Sequence, residues 1–169
     1  MSEARELASQ VLELCRARKI MVATAESCTG GLVAAAITDL PGSSEALERG
    51  FVTYSNVAKA ELLGVSSETL ARFGAVSAET AQAMATGALA QSHAQVAVSI
   101  TGIAGPGGGT PEKPVGLVWF GLASRGRAAR AHHRVFENAS RETVRSAAVR
   151  EALHLLVEEL AAGQAGAKA

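Results

Sequence analysis

The run Ala25-Glu26-Ser27-Cys28-Thr29-Gly30-Gly31 constrains this chain more than any other segment. A short, mainly apolar stretch, Ile20 to Ala25, ends in it, and a small-residue, helix-compatible stretch, Leu32 to Leu40, follows it. The first suits a buried strand and the second a helix. Two hydroxyls and a thiol therefore stand where a strand turns into a helix. Such a junction presents unpaired backbone N–H groups and the positive end of a helix dipole. It can bind an anion, stabilise an oxyanion or activate a nucleophile.

The same alternation continues along the chain. Leu7, Val11, Leu14 and Cys15 recur at helical spacing, which predicts a helix over residues 4–18. A helix is predicted over 29–40, ended by Pro41-Gly42, with Ser43 and Ser44 in the following loop. Residues 51–55 read as a strand and 56–63 as a helix that stops at Gly64. Ser66 caps a short helix ending near Gly74, and Ser77, with Glu79 in the first turn, caps another running to about Gln91. Residues 96–100 form a buried strand, 115–122 and 129–136 a hairpin turning at Arg125-Gly126, and Ser140 caps a last helix bearing Val149, Leu153, Leu156 and Leu160. Helices alternating with strands, followed by a hairpin, predict a layered α/β domain with a mixed sheet. Residues 1–169 read as one domain with no internal repeat, and 163–169 as a frayed tail.

Composition narrows the function. Acidic and basic residues balance at 16 each, which argues against nucleic-acid binding through bulk charge and is compatible with an oligomer. No stretch suits a membrane span or a signal peptide, so a cytoplasmic protein is expected. Cys15 and Cys28 are the only cysteines and lack metal-site spacing, which suggests free thiols. Abundant alanine and glycine allow close helix–sheet packing, so the core rests on Val, Leu and Ile.

Four features could carry chemistry. Ser27 reads, on the local pattern, as a helix N-cap; the alternative is a nucleophile at the turn, approached closely past Gly30 and Gly31. No histidine is placed to serve it: His93, His132, His133 and His154 suit packing or surface roles, and the adjacent His132 and His133 face opposite ways on a strand. Lys59, one turn after the strand end at Tyr54, is an alternative base if it is neutral, which requires desolvation or a nearby cation; otherwise it is a solvated charge. The glycine-rich segment after Thr101, Gly102 to Gly109, fits neither a dinucleotide fingerprint nor a Walker loop, leaving a flexible surface loop or close backbone approach to a phosphate or carbonyl. Arg141, in a first helical turn, opposes the dipole and so hints at gripping an anion.

Together these segments resemble the CinA C-terminal domain family. The resemblance is carried by Ala25–Gly31, Gly50–Asn56 with Lys59, Gly64-Val65, Gly74–Ser77, Ser99–Pro106 and Lys113–Gly116, in order between about Leu7 and Leu160. It implies a three-layer α/β/α fold. It also implies the activity of the family's stand-alone members, hydrolysis of the carboxamide of nicotinamide mononucleotide to nicotinic acid mononucleotide and ammonia. By resemblance Ser27 is the nucleophile, Lys59 the general base and Tyr54 its helper. Thr101 and Arg141 match substrate-binding or catalytic positions, and Ser44 a loop serine of the same site. Backbone groups of Cys28, Thr29 and Gly30 would hold the oxyanion, and Arg141 or the loop at Gly102 and Gly105 the 5′-phosphate. No metal or cofactor is expected, and neither is the pyrophosphatase activity associated with the larger N-terminal domain of many CinA proteins. The expected partners are the small-molecule substrate and further copies of the chain, as a homodimer or larger homo-oligomer, with no nucleic acid or membrane. The readings set against this one are a non-catalytic pyridine-nucleotide-binding module, an amidase for another substrate, and a structural or DNA-associated protein.

Overall fold

In the computed structural model, which describes residues 2–167, Val22–Glu26 forms the strand β1, and all five of its residues are buried. β1 lies parallel to β2 (Leu47–Val52) on one side and to β3 (Val96–Gly102) on the other. β4 (Leu117–Ser124) pairs antiparallel with β3, and β5 (Arg130–Val135) antiparallel with β4. The resulting mixed sheet has the order β2-β1-β3-β4-β5.

Strand alternation sends side chains to two helical layers. Val22, Val96, Val98, Ile100, Val118, Phe120 and Leu122 face α1 (Glu3–Arg18), α2 (Leu32–Thr38) and α6 (Arg141–Ala167) in the larger apolar core. Ala23, Ala25, Ala97 and Ala123 face the other way, towards α3 (Asn56–Leu63), α4 (Ser67–Phe73) and α5 (Ala78–Ala90). The architecture is therefore a three-layer α/β/α sandwich; the alternation of elements predicted the layered mixed sheet, and the family resemblance implied its three layers.

The second layer is built from small residues because α5 lies nearly in contact with the sheet. A Cβ on Gly121 of β4 would stand 2.1 Å from the Ala81 carbonyl oxygen, and Ser99 donates to that same oxygen at 2.6 Å. α3 approaches α5 as closely: a Cβ on Gly87 would stand 1.9 Å from the Leu63 carbonyl oxygen.

Element boundaries moved where backbone geometry decided them. The helix expected over 29–40 is α2, Leu32–Thr38, because Gly30 and Gly31 take positive φ and hold the preceding residues in a turn. The strand expected over 51–55 is β2, Leu47–Val52: an edge strand takes its partners from β1 alone, so the polar Glu48-Arg49 pair does not exclude it. β1 starts two residues later than expected and includes Glu26. β4 starts at Leu117 because Gly116 has φ +95°. The serine caps appear as expected at Ser66, Ser77 and Ser140, joined by Ser55, whose hydroxyl accepts from Ala58 N–H at 3.0 Å. Of the segment expected to fray, residues 163–167 belong to the α6 backbone, and residues 168 and 169 lie outside the described residues.

Gly87 supplies a test of the close α3–α5 contact. In an exposed helix, Gly→Ala adds about 1 kcal/mol of stability. Here the added methyl meets backbone, and overpacking of that kind costs about 1–3 kcal/mol. Gly87→Ala is expected to lower the denaturation midpoint; a midpoint above that of the unmodified protein would refute the contact.

Candidate active site

β2 and β3 flank β1 on opposite sides, so the chain leaves β1 in one direction and later returns on the other. The crevice beyond the carboxyl end of β1 is a topological switch point, where open α/β sheets bind ligands. Glu26 ends β1 facing α2, and Ser27, the next residue, faces α3. Strand alternation therefore divides the acid and the hydroxyl between the two layers.

Ser27 meets Lys59 there. The Ser55 cap starts α3, and Lys59 points inward from its first full turn, with only 1% of its surface exposed. Its Nζ lies 3.1 Å from Ser27 Oγ, 3.0 Å from the Thr53 carbonyl oxygen and 3.1 Å from the Tyr54 carbonyl oxygen. No carboxylate pairs with it among the described residues. Burial pushes its pKa below the ordinary lysine value, opposed in part by the neighbouring Cys28. As an ammonium, Lys59 donates to all three oxygens. As a free amine it keeps two N–H groups for the carbonyls and presents its lone pair to the Ser27 hydroxyl proton.

The turn after Ser27 is pinned at both ends. The Ser27 N–H donates to Ile100 O at 2.9 Å, and the Gly30 N–H donates back to Ser27 O at 3.0 Å. The Glu26 carboxylate, 1% exposed, accepts from the Val33 and Ala34 N–H groups at 2.8 and 3.1 Å, satisfying the first turn of α2. Gly30 is thus excluded as an oxyanion donor, while the N–H groups of Cys28 and Thr29 bond to no protein group among the described residues. The Cys28 thiol is buried and its pKa is pushed up to about 11, chiefly by burial. It is therefore a protonated, weak nucleophile near neutral pH.

The other expected residues divide. Tyr54 is exposed; its carbonyl holds Lys59, and its hydroxyl accepts from Arg141 Nη2 at 2.9 Å. Arg141 also donates from Nη1 to Gly105 O at 2.9 Å, tying the start of α6 to the glycine loop. Thr101 follows the β3 partner of Glu26, so it flanks Ser27, but its buried hydroxyl donates to Ala75 O at 2.8 Å and holds the loop before α5. Gly102 is explained by packing: a Cβ there would stand 2.8 Å from Leu117 O. Ser44 does not join the others. It lies in the 3-10 turn Ser43–Glu45 before β2, at the edge where β1 and β2 begin. The length of β1, about 3.3 Å per residue, separates it from Ser27.

Three contributors escaped the sequence reading. Arg145 donates to Cys28 O at 3.0 Å and Thr29 O at 3.3 Å; its signal is the i,i+4 spacing from Arg141, which places both on one face of α6. Glu26 gave a signal in being an acid at a helix entrance. Thr53, whose carbonyl holds Lys59, gave none. The Thr29 and Thr53 hydroxyls are buried without a hydrogen-bond partner among the described residues. The histidines stand apart: His132 bonds Glu151 at 3.1 Å, and His133 stacks on Trp119 at 4.5 Å on the other face of the sheet.

The profile of the CinA C-terminal domain matches residues 4–160. The nicotinamide-nucleotide amidohydrolase PncC of Escherichia coli (strain K12) is 51% identical over 158 residues, covering 94% of this chain and 95% of that protein. A putative competence-damage inducible protein of Symbiobacterium thermophilum is 59% identical over 126 residues, covering 75% of this chain but only 30% of that protein. The crystal structure of the competence/damage inducible protein CihA from Agrobacterium tumefaciens superposes with a TM-score of 0.91 at 49% identity, covering 94% of this chain and 96% of that one. The profile, the PncC relative and the CihA structure each span nearly the whole chain, and the chain belongs to the CinA C-terminal domain family.

Proposed function

We propose that this protein is a nicotinamide-nucleotide amidase that converts nicotinamide mononucleotide and water to nicotinic acid mononucleotide and ammonia. The observation that carries the reading is the buried Ser27–Lys59 pair, 3.1 Å apart at the carboxyl end of β1. The 51% identity to a nicotinamide-nucleotide amidohydrolase along almost the full length of both chains supports the substrate.

Ser27 Oγ attacks the carboxamide carbon and its proton passes to Lys59 Nζ. The carbonyl electron pair moves onto oxygen, where the N–H groups of Cys28 and Thr29 receive it. Lys59 returns the proton to the amide nitrogen, the C–N bond breaks, and ammonia leaves an acyl ester on Ser27. Water then adds to the ester while Lys59 takes one of its protons; that proton goes back to Ser27 as the acyl C–O bond breaks, and the released carboxylic acid gives its own proton to the ammonia. The Tyr54 oxygen accepts from Arg141, so its own O–H stays available to the substrate. Arg141 and the glycine loop at Gly105 are the assigned partners of the 5′-phosphate. Thr101 supports the site through the loop at Ala75.

Homo-oligomerisation and a cytoplasmic location belong to the same reading. Leu32, Val52, Tyr54 and Val57 expose apolar surface on the elements around Ser27. No helix among the described residues is long and apolar enough to cross a membrane.

Ammonia release from nicotinamide mononucleotide tests the function. Ser27→Ala and Lys59→Met are expected to lose roughly 10³-fold or more in kcat. Equal release by Ser27→Ala would discard Ser27 as nucleophile. No release by the unmodified protein, with the nucleotide still bound, would mean a binding module. Cys28→Ser is expected to stay active, since the thiol is held protonated.

Lys59 also makes a pH prediction. Its folded pKa lies below the unfolded value, so between the two the unfolded chain holds more protons and stability rises with pH. kcat/KM should rise with pH through the folded pKa, as the amine loses its proton, and level off above it. Lys59→Met is expected to be inactive yet at least as stable at neutral pH, with that pH dependence of stability flattened. A marked loss of stability in the refolded variant would show that Lys59 is chiefly a structural anchor.

A further inference from the structure

The amidase reading requires an oxyanion site, and Arg145 stands behind the residues that would form it. A trans peptide is planar, with its C=O and N–H on opposite sides. The carbonyl of Cys28 and the N–H of Thr29 belong to one such unit. Arg145 Nε donates to that carbonyl at 3.0 Å, and Nη2 donates to the next carbonyl, Thr29 O, at 3.3 Å. The opposite side of the Cys28–Thr29 peptide carries an N–H with no protein partner among the described residues. Gly30 accommodates the clamp: it has φ +60°, and a Cβ there would already stand 3.4 Å from Arg145 Nη2. On the far side of the turn, Glu26 fixes the Val33 and Ala34 N–H groups.

We infer that Arg145 is a positioning residue for the oxyanion: by gripping the carbonyl oxygens of Cys28 and Thr29 it holds the Thr29 N–H turned towards the reacting carbonyl. This rests on the amidase reading for its substrate, but not for its geometry. A cation on the carbonyl side polarises the peptide and strengthens its N–H as a donor. The charge also faces the developing oxyanion through the peptide without competing for the substrate. Arg145 therefore differs in task from Arg141, one turn earlier, which reaches the glycine loop and Tyr54.

The test compares Arg145→Gln and Arg145→Lys with the unmodified protein in three readouts. With nicotinamide mononucleotide, Arg145→Gln is expected to lower kcat about 10- to 100-fold, somewhat less than the loss of a direct oxyanion donor, and to leave KM within about twofold. Arg145→Lys keeps the charge but not the fork, and should fall between. With pyridine-3-boronic acid, Ser27 Oγ adds to boron and its proton passes to Lys59, giving a tetrahedral boronate whose hydroxyl occupies the oxyanion position. Its affinity should fall by the same factor as kcat/KM, while affinity for nicotinic acid mononucleotide is unchanged. A raised KM with kcat preserved, or a loss that vanishes when the phosphate is removed from the substrate, would overturn the inference and make Arg145 a phosphate contact. Unchanged kinetic constants and boronate affinity would also overturn it, leaving only packing. If Arg145→Gln fails to fold, the same readouts on Arg145→Lys decide. Failure of the unmodified protein to release ammonia would remove the amidase reading alone, because boronate addition needs Ser27 and not the amide.

Discussion

The constraint on which the site depends is a lysine amine buried without a carboxylate. Taking a charge out of water is costly, and a paired acid would normally offset that cost while keeping the lysine protonated. At Lys59 the partners are two carbonyl oxygens and one hydroxyl. They satisfy the N–H groups of a neutral amine and leave its lone pair for Ser27. The environment that penalises the ammonium therefore favours the general base.

Each of those partners is set by a local device. Ser55 caps α3, so the chain before it turns with the Thr53 and Tyr54 carbonyls directed at one point. β1 ends on Glu26, so the following residue must face α3. Within the turn the Gly30 N–H takes the Ser27 carbonyl and the Leu32 N–H shares the Thr29 carbonyl, and two ionic side chains hold the polar groups around it. Glu26 takes N–H groups, Arg145 takes carbonyls, and the N–H groups of Cys28 and Thr29 are left over. Each of the two binds only one kind of backbone group, the acid N–H groups and the arginine carbonyls.

The sequence made the alternation of helices and strands, most caps and the Ser27–Lys59 pairing legible, because they depend on local chemistry or on motifs that resemble a family. It was less informative where tertiary geometry decides. Ser44 sits near Ser27 in the chain, yet α2 runs back between them, so the length of β1 separates them at opposite ends of the strands. Thr101 and Gly102 read as candidates for substrate contact. The Thr101 hydroxyl is instead taken up by Ala75 O, and at Gly102 the backbone of Leu117 leaves no room for a Cβ. Arg145 and Thr53 act through backbone carbonyls, and no residue pattern announces which carbonyl a side chain will find. β2 was misplaced because an edge strand need not show the apolar run of its central neighbours.

The small-residue layer connects the fold to the chemistry. Alanines on β1 and β3, with Gly121 on β4, let α5 settle against the sheet, and Gly87 lets α3 settle against α5. Lys59 projects from α3 four residues before Leu63, the residue whose backbone meets Gly87. The depth at which α3 seats therefore fixes how far the Lys59 amine reaches towards β1. A bulkier layer of Val or Leu would bury more apolar area per residue. It would also raise α3 from the sheet by more than a 3.1 Å hydrogen bond tolerates. The scarcity of large residues on this face reflects that distance requirement: the layer gives up burial so that a base on one element can touch a nucleophile on another.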